Sequence, residues 1–358
     1  MREVSTLKNQ PKEKSLPVRG ASCKAISVYL PERVLDNAAL VREWSETASG
    51  AHWSESKIFS KTGIAKRHVV DGELVSDIAA AAGEKLFAEH GIDRADVDFL
   101  LLCTECPDHF LPATACIVQH RLGLRQNIGA LDYNLGCSGY IYGLAVAKGL
   151  IIGGVARNVL LITADTISRV IHPLDKSTRA LFGDAATATL VEASDASGIG
   201  EFTLGTNGGG ADKLIIPAGA WAIPSSPETR AETTNRWGNV RTPEHLYMNG
   251  PEVLSFSLEV APPCFNEILR LNGVTVDDID WVVVHQASLM LLERVRDALE
   301  IPAEKFIIDI ENYGNTASST IPIALNDLRI SGRLRPGDKI LLMGFGVGLS
   351  WGGTIIRQ

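Results

Sequence analysis

Apolar residues follow one another without interruption in four short segments of the chain, and longer helix-like segments lie between them. Such apolar runs are typical of strands that are buried on both faces of a sheet. Because the strands alternate with helices, we expect mostly parallel sheets joined by right-handed crossovers. The predicted strands are Phe99–Leu102, Val159–Ile162, Val282–Val284 and Ile340–Met343. The predicted helices are Val75–His90, Ser138–Ile152, Leu254–Leu271, Ala287–Leu299 and Ser318–Ser331.

The same pattern recurs about 180 residues further along the chain. Residues 91–99 resemble residues 273–281 at an offset of 182 (273 − 91), and each segment leads into an apolar run. Three matches in one order indicate two copies of one α/β unit, and two such copies would stack as a layered α/β/α/β/α fold. The other matching pairs are 158–162 with 338–342, at an offset of 180 (338 − 158), and 134–138 with 312–316, at 178 (312 − 134).

The repeat divides the chain into a disordered tail over 1–20 and two pseudo-symmetric halves over 21–197 and 198–358. Two stretches interrupt the pattern. Leu40–Ser60 is polar and carries two tryptophans, and Gly205–Gly250 is rich in Gly, Pro, Thr and Asn. Long insertions in compact enzymes are commonly lids or loops that shape the substrate site. A solvated surface excursion is the alternative for each.

Three side chains suited to acyl transfer stand at the ends of predicted elements. Cys137 lies where a helix is predicted to begin, in the segment Leu-Gly-Cys-Ser-Gly, which has a glycine on each side of the cysteine. The N–H groups and dipole of a helix N-terminus favour the thiolate over the thiol. His285 follows a predicted strand, and Asn315 is the counterpart of Cys137 in the repeat. A Cys, a His and an Asn so placed favour acyl transfer through a thioester on the cysteine.

The glycine-rich turn Gly344–Gly348 supplies further N–H groups that can converge on an anion. Together with the N–H groups near Cys137 it would form an oxyanion hole. His285 and Asn315 could then donate hydrogen bonds to a thioester carbonyl and stabilise the enolate that forms when a malonyl unit loses carbon dioxide. Each feature also has a plain structural alternative, namely packing for the Cys, support for the His, and turn geometry for the Asn and the glycines. No acidic residue follows the turn, so we exclude a dinucleotide site.

Composition and charge narrow the protein class. The chain has 358 residues, with 45% hydrophobic and 21% charged residues, as in ordinary soluble globular proteins. The net charge of −8 argues against nonspecific nucleic-acid binding, and no apolar run is long enough to span a membrane. The polar first residues do not form a secretory signal, so we expect a cytoplasmic protein with reduced thiols. Cys103 and Cys106 form a CxxC motif without a second pair, which favours buried strand-end thiols over a metal site.

Several short motifs carry a specific resemblance over residues 22–358. They are Tyr29-Leu30-Pro31, Lys61-Thr62-Gly63-Ile64, Gly136-Cys137-Ser138-Gly139, Phe182-Gly183-Asp184-Ala185, His285-Gln286-Ala287, Asn312-Tyr313-Gly314-Asn315-Thr316, and Gly344-Phe345-Gly346 with Ser350-Trp351-Gly352. In these motifs the chain resembles the beta-ketoacyl-[acyl-carrier-protein] synthase III family of the thiolase superfamily. The resemblance implies the thiolase-like doubled α/β fold that the repeat also predicts.

The resemblance implies a role for each candidate residue. Cys137 would take an acyl group from acyl-CoA, and His285 with Asn315 would promote decarboxylative condensation with malonyl-acyl carrier protein or malonyl-CoA. The oxyanion hole and malonyl pocket would be formed by Phe345, Gly346, Val347 and Gly348, with Phe345 shielding the malonyl carboxylate. Family members need no cofactor or metal and are homodimers, in which the loop carrying Leu111 would approach the acyl tunnel of the second copy. The residues implied in CoA or carrier-protein binding are Lys57, Lys61, Lys176, Gln286 and Ser288.

Some positions depart from the family pattern. Ser288 and Met290 stand where the family commonly has Asn and a carrier-docking Arg, and Lys57 and Lys176 stand where a Trp and an Arg often sandwich the CoA adenine. Two lysines cannot form that sandwich, although both could pair with phosphates. A specialised relative is therefore an alternative, either in secondary metabolism or passing the acyl group to an oxygen or nitrogen acceptor without condensation. A catalytically silent subunit of a heterodimer is a third hypothesis, and the complete Cys–His–Asn set argues against it.

Overall fold

The computed structural model describes residues 20–47, 52–196 and 198–358. The predicted tail lies outside the described residues except for Gly20, which begins the first strand. The strands are β1 (Gly20–Tyr29), β2 (Val34–Asp36), β3 (Lys66–His68), β4 (Phe99–Cys103), β5 (Gly129–Tyr133), β6 (Asn158–Asp165), β7 (Ala185–Ser194), β8 (Thr203–Thr206), β9 (Leu214–Ile215), β10 (Thr233–Thr234), β11 (Val240–Arg241), β12 (Tyr247–Met248), β13 (Trp281–Val284), β14 (Lys339–Gly346) and β15 (Ser350–Arg357). The α-helices are α1 (Asn37–Ser45), α2 (Glu55–Thr62), α3 (Val75–His90), α4 (Thr114–Arg121), α5 (Gly139–Ile152), α6 (Lys176–Arg179), α7 (Gly250–Asn272), α8 (Leu289–Ala298) and α9 (Thr320–Ile330).

Two mixed sheets form the framework of the described chain. The first has the order β1-β7-β6-β4-β5, and the second has the order β13-β14-β15-β8. β4 is parallel to β5 and β6, and β13 is parallel to β14, but the remaining pairs in both sheets are antiparallel. The expectation of mostly parallel sheets was therefore wrong. β14 and β15 are joined by a tight turn, which imposes the antiparallel direction, and strands buried on both faces have the same apolar pattern in either direction.

The two sheets enclose a central pair of helices, and two further helices cover the outer face of each sheet. Alternate residues of one strand show this directly. Leu101 packs among the residues of α5 and α9, whereas Leu100 and Leu102 pack among those of α3 and α4. In the second sheet Val283 faces the central helices, and Val282 faces α7 and α8. This confirms the predicted α/β/α/β/α order, in which each fully buried leucine contributes about 1.5–3 kcal/mol.

The internal repeat is visible in the order of the strands. β1, β7, β6 and β4 of the first sheet correspond in sequence order and in position to β8, β15, β14 and β13 of the second. The position that corresponds to β5 is reduced to a parallel bridge between Val282 and Phe306. The central helices α5 and α9 are likewise counterparts. The two residues that precede them in the repeat, Cys137 and Asn315, therefore belong to the same face of the molecule.

Most predicted elements agree with the structure to within a few residues, and α3 matches its predicted bounds. The first interruption, by contrast, is not structureless, although residues 48–51 within it lie outside the described part. It contains α1, capped by the side chain of Asp36, and α2, capped by Ser54 and ended by Gly63 in the left-handed conformation (φ 73°). Both helices are short and mostly polar, so their apolar periodicity is weak. No helix among the described residues is long and apolar enough to cross a membrane.

The second interruption is fastened to the body of the protein along the segment that follows β6. The N–H of Leu246 donates to the carbonyl of Val170 (2.8 Å). The guanidinium of Arg241 forms an ion pair with Asp175, whose side chain is fully buried. These contacts hold β11 and β12 against the first half, so this insertion packs as part of the fold.

Candidate active site

Cys137 lies in the loop that joins β5 to α5, two residues before the helix begins, and it is 7% exposed. The backbone of β14 approaches it closely. A Cβ atom added to Gly346 would lie 2.5 Å from the Cys137 sulfur, and one added to Gly344 would lie 2.6 Å from its carbonyl oxygen. Ser138 and Ser350 share a hydrogen bond of 2.7 Å between their hydroxyls, which ties the same two segments together. Glycines at 344 and 346 are therefore required for this approach.

The surroundings of Cys137 keep it protonated at rest. Burial raises the pKa of its thiol to about 12, and the charge of Glu105 adds to the rise. The backbone N–H groups of Val347 and of Cys137 itself favour the thiolate but are outweighed. The expected net lowering of the thiol pKa was wrong, because the loss of hydration in this buried position outweighs the effect of these N–H groups. Acylation of Cys137 therefore requires a group that accepts its proton.

His285 immediately follows β13 and is 1% exposed. Its backbone N–H donates to the carbonyl of Met343 (2.9 Å), which places it beside the β14 residues that contact Cys137. Its Nδ1 atom lies 2.7 Å from the hydroxyl of Thr320, the first residue of α9. Burial lowers the pKa of His285 to about 3, so the imidazole is neutral. The one proton of the Thr320 hydroxyl can go to Nδ1 or to the more distant carbonyl of Ala317 (3.3 Å). When it goes to the nearer Nδ1, the Nε2 atom carries the imidazole proton and acts as a hydrogen-bond donor.

Asn315 is 5% exposed and is fixed by its backbone on both sides. Its N–H donates to the carbonyl of Leu181 (2.9 Å), and its carbonyl accepts from the N–H of Gly183 (3.0 Å). The side-chain Oδ1 accepts from the N–H of Ala317 (3.0 Å), which leaves the Nδ2 hydrogens for another acceptor. Gly314 precedes it with φ 69°, and a Cβ there would lie 2.8 Å from the Leu181 carbonyl oxygen. Asn315 is thus oriented as a hydrogen-bond donor.

The beginnings of the two central helices meet at this site. A Cβ added to Gly139, the first residue of α5, would lie 3.5 Å from the Cβ of Ser318, which precedes α9. The hydroxyl of Ser318 donates to Asp165 at the end of β6 (2.5 Å). The structure therefore brings the loop of Cys137 and the segment of Asn315 together, as the repeat predicted.

Two carboxyl groups beside Cys137 were not predicted, namely the half-buried Glu105 and the fully buried Asp165. Glu105 follows the end of β4, and its Oε2 would be 2.3 Å from a Cβ added to Gly136. Asp165 accepts hydrogen bonds from the backbone N–H of Glu105 (2.7 Å) and from Ser318. Burial and the neighbouring Asp165 charge raise the pKa of Glu105 to about 8, and burial raises that of Asp165 to about 7. A usable signal was present, because both acids stand where neighbouring parallel strands end at the same edge of the sheet.

The glycine-rich turn that was predicted to contribute to the oxyanion hole lies on one side of the Cys137 sulfur. Gly346 contacts the sulfur, and the N–H of Val347 is directed at it. Phe345 is 2% exposed and packs in the cluster between the second sheet and α7 and α8. Successive residues of a strand point to opposite faces, so the ring lies on the other face of β14 from Gly344 and Gly346. Its role in shielding a malonyl carboxylate stays a prediction.

Comparison with known proteins decides the family. The model of 3-oxoacyl-[acyl-carrier-protein] synthase III matches residues 131–208, and the model of its C-terminal part matches residues 269–358. A beta-ketoacyl-[acyl-carrier-protein] synthase III from Campylobacter curvus is 35% identical over 338 residues, which are 94% of this chain and 96% of that protein. The chain belongs to the 3-oxoacyl-[acyl-carrier-protein] synthase III family. It is therefore an acyltransferase, and the two matched segments contain Cys137, His285 and Asn315.

Solved structures of the synthase III family share the fold. A 3-oxoacyl-(acyl-carrier-protein) synthase III is 46% identical, with a TM-score of 0.91, and the match covers 95% of this chain and all of that one. The priming beta-ketosynthase from the R1128 polyketide biosynthetic pathway is 28% identical, with a TM-score of 0.82, over 97% of this chain and 98% of that one. The doubled α/β fold predicted from the repeat, which the family resemblance implied to be thiolase-like, is thereby confirmed.

The lysines predicted to bind CoA or the carrier protein differ in their exposure to solvent. Lys57 and Lys61 are exposed, and the ammonium of Lys57 donates to the carbonyl of His52 (2.9 Å). Lys176 is 1% exposed, and its ammonium donates to the carbonyl of Gly238 in the second insertion (2.9 Å). In this arrangement Lys176 cannot reach a phosphate unless that insertion moves.

The other two predicted ligand-binding residues make structural contacts. Gln286 is 1% exposed, and its amide bonds the backbone of Val284 and Asp309 (both 2.7 Å). Ser288 caps α8 by accepting from the N–H of Leu291 (3.3 Å). These contacts give both residues a structural role that does not depend on a ligand. Their predicted binding roles are not tested by the structure.

Proposed function

We propose that the chain loads an acyl group from acyl-CoA onto Cys137 and condenses it with malonyl-acyl carrier protein or malonyl-CoA. Carbon dioxide is lost, and the product is a 3-oxoacyl thioester for fatty acid or related secondary-metabolite synthesis. The observation that supports this most strongly is the convergence of three segments, which bring a buried thiol, a neutral imidazole and an amide donor to one site. Cys137, His285 and Asn315 are these groups.

In the acylation step the sulfur of Cys137 attacks the acyl carbon of the CoA thioester, and the carbonyl oxygen becomes negatively charged. The N–H groups of Cys137 and Val347, which are directed at the sulfur, are available to this oxygen. Preorganised donors of this kind each contribute about 10²–10³-fold in rate. The C–S bond to CoA then breaks, the proton of the Cys137 thiol ends on the CoA sulfur, and the acyl group remains on Cys137.

In the condensation step the malonyl thioester carbonyl would accept hydrogen bonds from Nε2 of His285 and Nδ2 of Asn315. The electrons of the bond to the departing carbon dioxide move into the enolate, and these two donors stabilise its oxygen. The enolate carbon attacks the acyl carbonyl, and the Cys137 sulfur leaves. A neutral imidazole or amide is well suited to this role, because its N–H is a very weak acid and hydrogen-bonds the enolate oxygen without transferring its proton to the enolate.

The proposal is tested by following two signals, namely the mass added to Cys137 from a panel of acyl-CoAs and the release of labelled carbon dioxide from malonyl-acyl carrier protein. Cys137→Ala is expected to abolish acylation, whereas His285→Ala and Asn315→Ala are expected to retain acylation and lose condensation. Cys116→Ala, at an exposed free cysteine, is the matched control. Acyl transfer to a hydroxyl or amine without carbon dioxide release would establish the alternative instead.

A homodimer is part of the proposal. Phe110 and Leu111 are 74% and 82% exposed, and the ring of Phe110 lies 6.0 Å from that of Trp221, which is 86% exposed. Adjoining apolar side chains on a surface mark an interaction site, and a second copy is the occupant that the family resemblance implies. Light scattering after gel filtration is expected to give twice the chain mass. Leu111→Asp should yield monomers, whereas Ile330→Asp, at another exposed apolar residue, should not.

A further inference from the structure

We propose that Glu105 carries the proton that passes between Cys137 and the leaving thiol during acyl transfer. This inference rests on the proposed acylation of Cys137 and adds a residue to the Cys–His–Asn set. It assigns the acceptor that the protonated cysteine requires. His285 and Asn315 can then act as hydrogen-bond donors throughout the reaction.

The fold places the Glu105 carboxyl group against the cysteine loop. β4 and β5 are parallel neighbours, so the residues after their ends lie at one edge of the sheet. The two carboxyl oxygens of Glu105 would lie 2.3 and 2.9 Å from a Cβ on Gly136, the residue before the nucleophile. Only a glycine leaves room for them. The carboxyl group is near enough for its charge to act on the Cys137 sulfur.

Glu105 is chemically free to exchange a proton, unlike its neighbour Asp165. Asp165 is fully buried and accepts hydrogen bonds from Ser318, Thr104 and the N–H of Glu105. Among the described residues, the Glu105 carboxyl oxygens have no hydrogen bond or ion pair. Two adjacent carboxyl groups cannot easily both be charged, so a proton resides on the one without donors. That group is Glu105.

The other titratable groups near Glu105 do not supply a competing cation. Four ionisable side chains of the described residues interact electrostatically with Glu105, namely Cys103, Cys106, Cys137 and Asp165. All are neutral or negative. Burial and the Asp165 charge bring the pKa of Glu105 to about 8, close to the working pH of a proton carrier.

The proposed proton path balances. Glu105 acts in the fraction of molecules in which it has lost its own proton to solvent. Its carboxylate then takes the proton of the Cys137 thiol as the sulfur forms its bond to the acyl carbon. When the bond between that carbon and the CoA sulfur breaks, the leaving sulfur takes the proton from Glu105. One proton has then moved from cysteine to CoA, and Glu105 returns to its starting state. Condensation consumes one proton, because carbon dioxide leaves from a carboxylate and Cys137 leaves as a thiolate. Glu105 takes this proton from solvent and passes it to the departing Cys137 sulfur.

The isosteric change Glu105→Gln separates proton transfer from a purely electrostatic effect, because the two predict opposite signs. As a proton carrier, Glu105 is needed for acylation, so the variant should acylate about 10²-fold more slowly in single-turnover mass spectrometry. As a mere neighbouring charge, it hinders thiolate formation, so the variant should acylate as fast as the unmodified protein or faster. The melting temperature of the variant should match that of the unmodified protein, which separates slow acylation from a folding defect.

The pH dependence of acylation gives a second readout. In the unmodified protein the acylation rate should rise with pH to a plateau above about pH 8, and Glu105→Gln should lose this inflection. Glu105→Asp keeps a carboxyl group and should recover part of the rate and the inflection, which decides the matter if the glutamine variant does not fold. Glu259→Gln, the same change on an exposed face of α7, is the matched control.

The possible outcomes are distinct. Unmodified protein that no acyl-CoA acylates overturns both the proposed function and this inference. Unmodified protein that is acylated, together with a Glu105→Gln variant that is acylated equally fast, overturns the inference alone. Slow acylation of both Glu105→Gln and Glu105→Asp, with an unchanged melting temperature and no restored inflection, shows that the carboxyl group is not the proton carrier.

Discussion

The substitution Gly346→Ala tests whether the close approach of β14 to Cys137 is required for catalysis. The added Cβ would lie 2.5 Å from the Cys137 sulfur and 2.6 Å from its Cβ. Ordinary contact begins at 3.4 Å, so the two segments must separate by at least 0.9 Å (3.4 − 2.5). Both are backbone-anchored, because Gly346 pairs with Ser350 in the sheet and Ser350 is bonded to Ser138. Neither can move aside as a flexible side chain would.

The expected magnitude follows from that displacement. A misplacement of about 1 Å at a reacting group costs about 10²-fold in rate. Forcing one extra methyl group into a packed site costs about 1–3 kcal/mol of stability, which lowers the melting temperature by a few degrees without unfolding the protein. Gly346→Ala should therefore be folded at room temperature and acylate Cys137 about 100-fold more slowly.

The assay is single-turnover acylation followed by intact mass, alongside thermal denaturation. Gly149→Ala is the matched control, since this glycine lies in α5 and an added Cβ there has no neighbour within 4 Å. Alanine is the better helix former by about 1 kcal/mol, so the control should be slightly more stable and acylate normally. If Gly346→Ala acylates as fast as Gly149→Ala, the contact between β14 and Cys137 does not position the nucleophile, and the reasoning fails.

Three further substitutions test other parts of the site and the fold. Thr320→Val removes the hydrogen-bond partner of Nδ1 of His285, and leaving this buried atom unpaired costs about 1–3 kcal/mol. The variant should release carbon dioxide about tenfold more slowly while acylation persists. Equal loss of both steps would contradict the assigned roles. Burial raises the pKa of Asp309 from 3.8 to about 7. Ionisation of this carboxyl group therefore lowers the stability of the folded protein as the pH rises from 4 to 7. In urea denaturation, Asp309→Asn should stabilise the protein by about 1–3 kcal/mol at pH 8 but not at pH 4. An equal gain at both values would refute this origin. Arg241→Met removes the ion-pair partner of the buried Asp175, which costs about 3–5 kcal/mol of stability. Proteolysis within residues 205–250 should therefore become faster. Unchanged cleavage would show that the ion pair does not anchor the insertion.

The fold was largely predictable because the sequence repeats itself. Two matched sets of apolar runs fixed the number of halves, the layers and the central position of α5 and α9. Strand direction was not predictable, since residues such as Leu101 and Val283 are buried whichever way their neighbours run. Short polar helices such as α1 and α2 were missed because their stability depends on caps and on contacts with distant residues. One such contact joins the ring nitrogen of Trp44 to the carbonyl of Pro173 (3.2 Å).

The nucleophile and its partners were identified from local motifs, but their electrostatic setting was not. The position of Cys137 before a helix was correct, whereas its protonation depends on how deeply the two halves bury it. Gln286 and Lys176 stood in motif positions, yet their side chains bond backbone atoms of distant segments. Glu105 was overlooked because it belongs to a CxxC stretch that drew attention to its cysteines. Only the three-dimensional neighbourhood shows that its carboxyl group packs against Gly136.

The free energies of proton transfer show why Glu105 matters for the resting thiol. A helix N-terminus stabilises a nearby anion by about 0.3–1 kcal/mol, whereas the rise of the Cys137 pKa from 9.0 to about 12 corresponds to about 4 kcal/mol. His285 is a poor acceptor for this proton, because burial lowers the pKa of its imidazole. Burial and the Asp165 charge instead raise the pKa of the Glu105 carboxyl group, so transfer to Glu105 costs less than transfer to His285. Turnover at 1–10³ per second allows a total barrier of about 13–17 kcal/mol, and transfer to Glu105 leaves more of that barrier for the attack on the thioester.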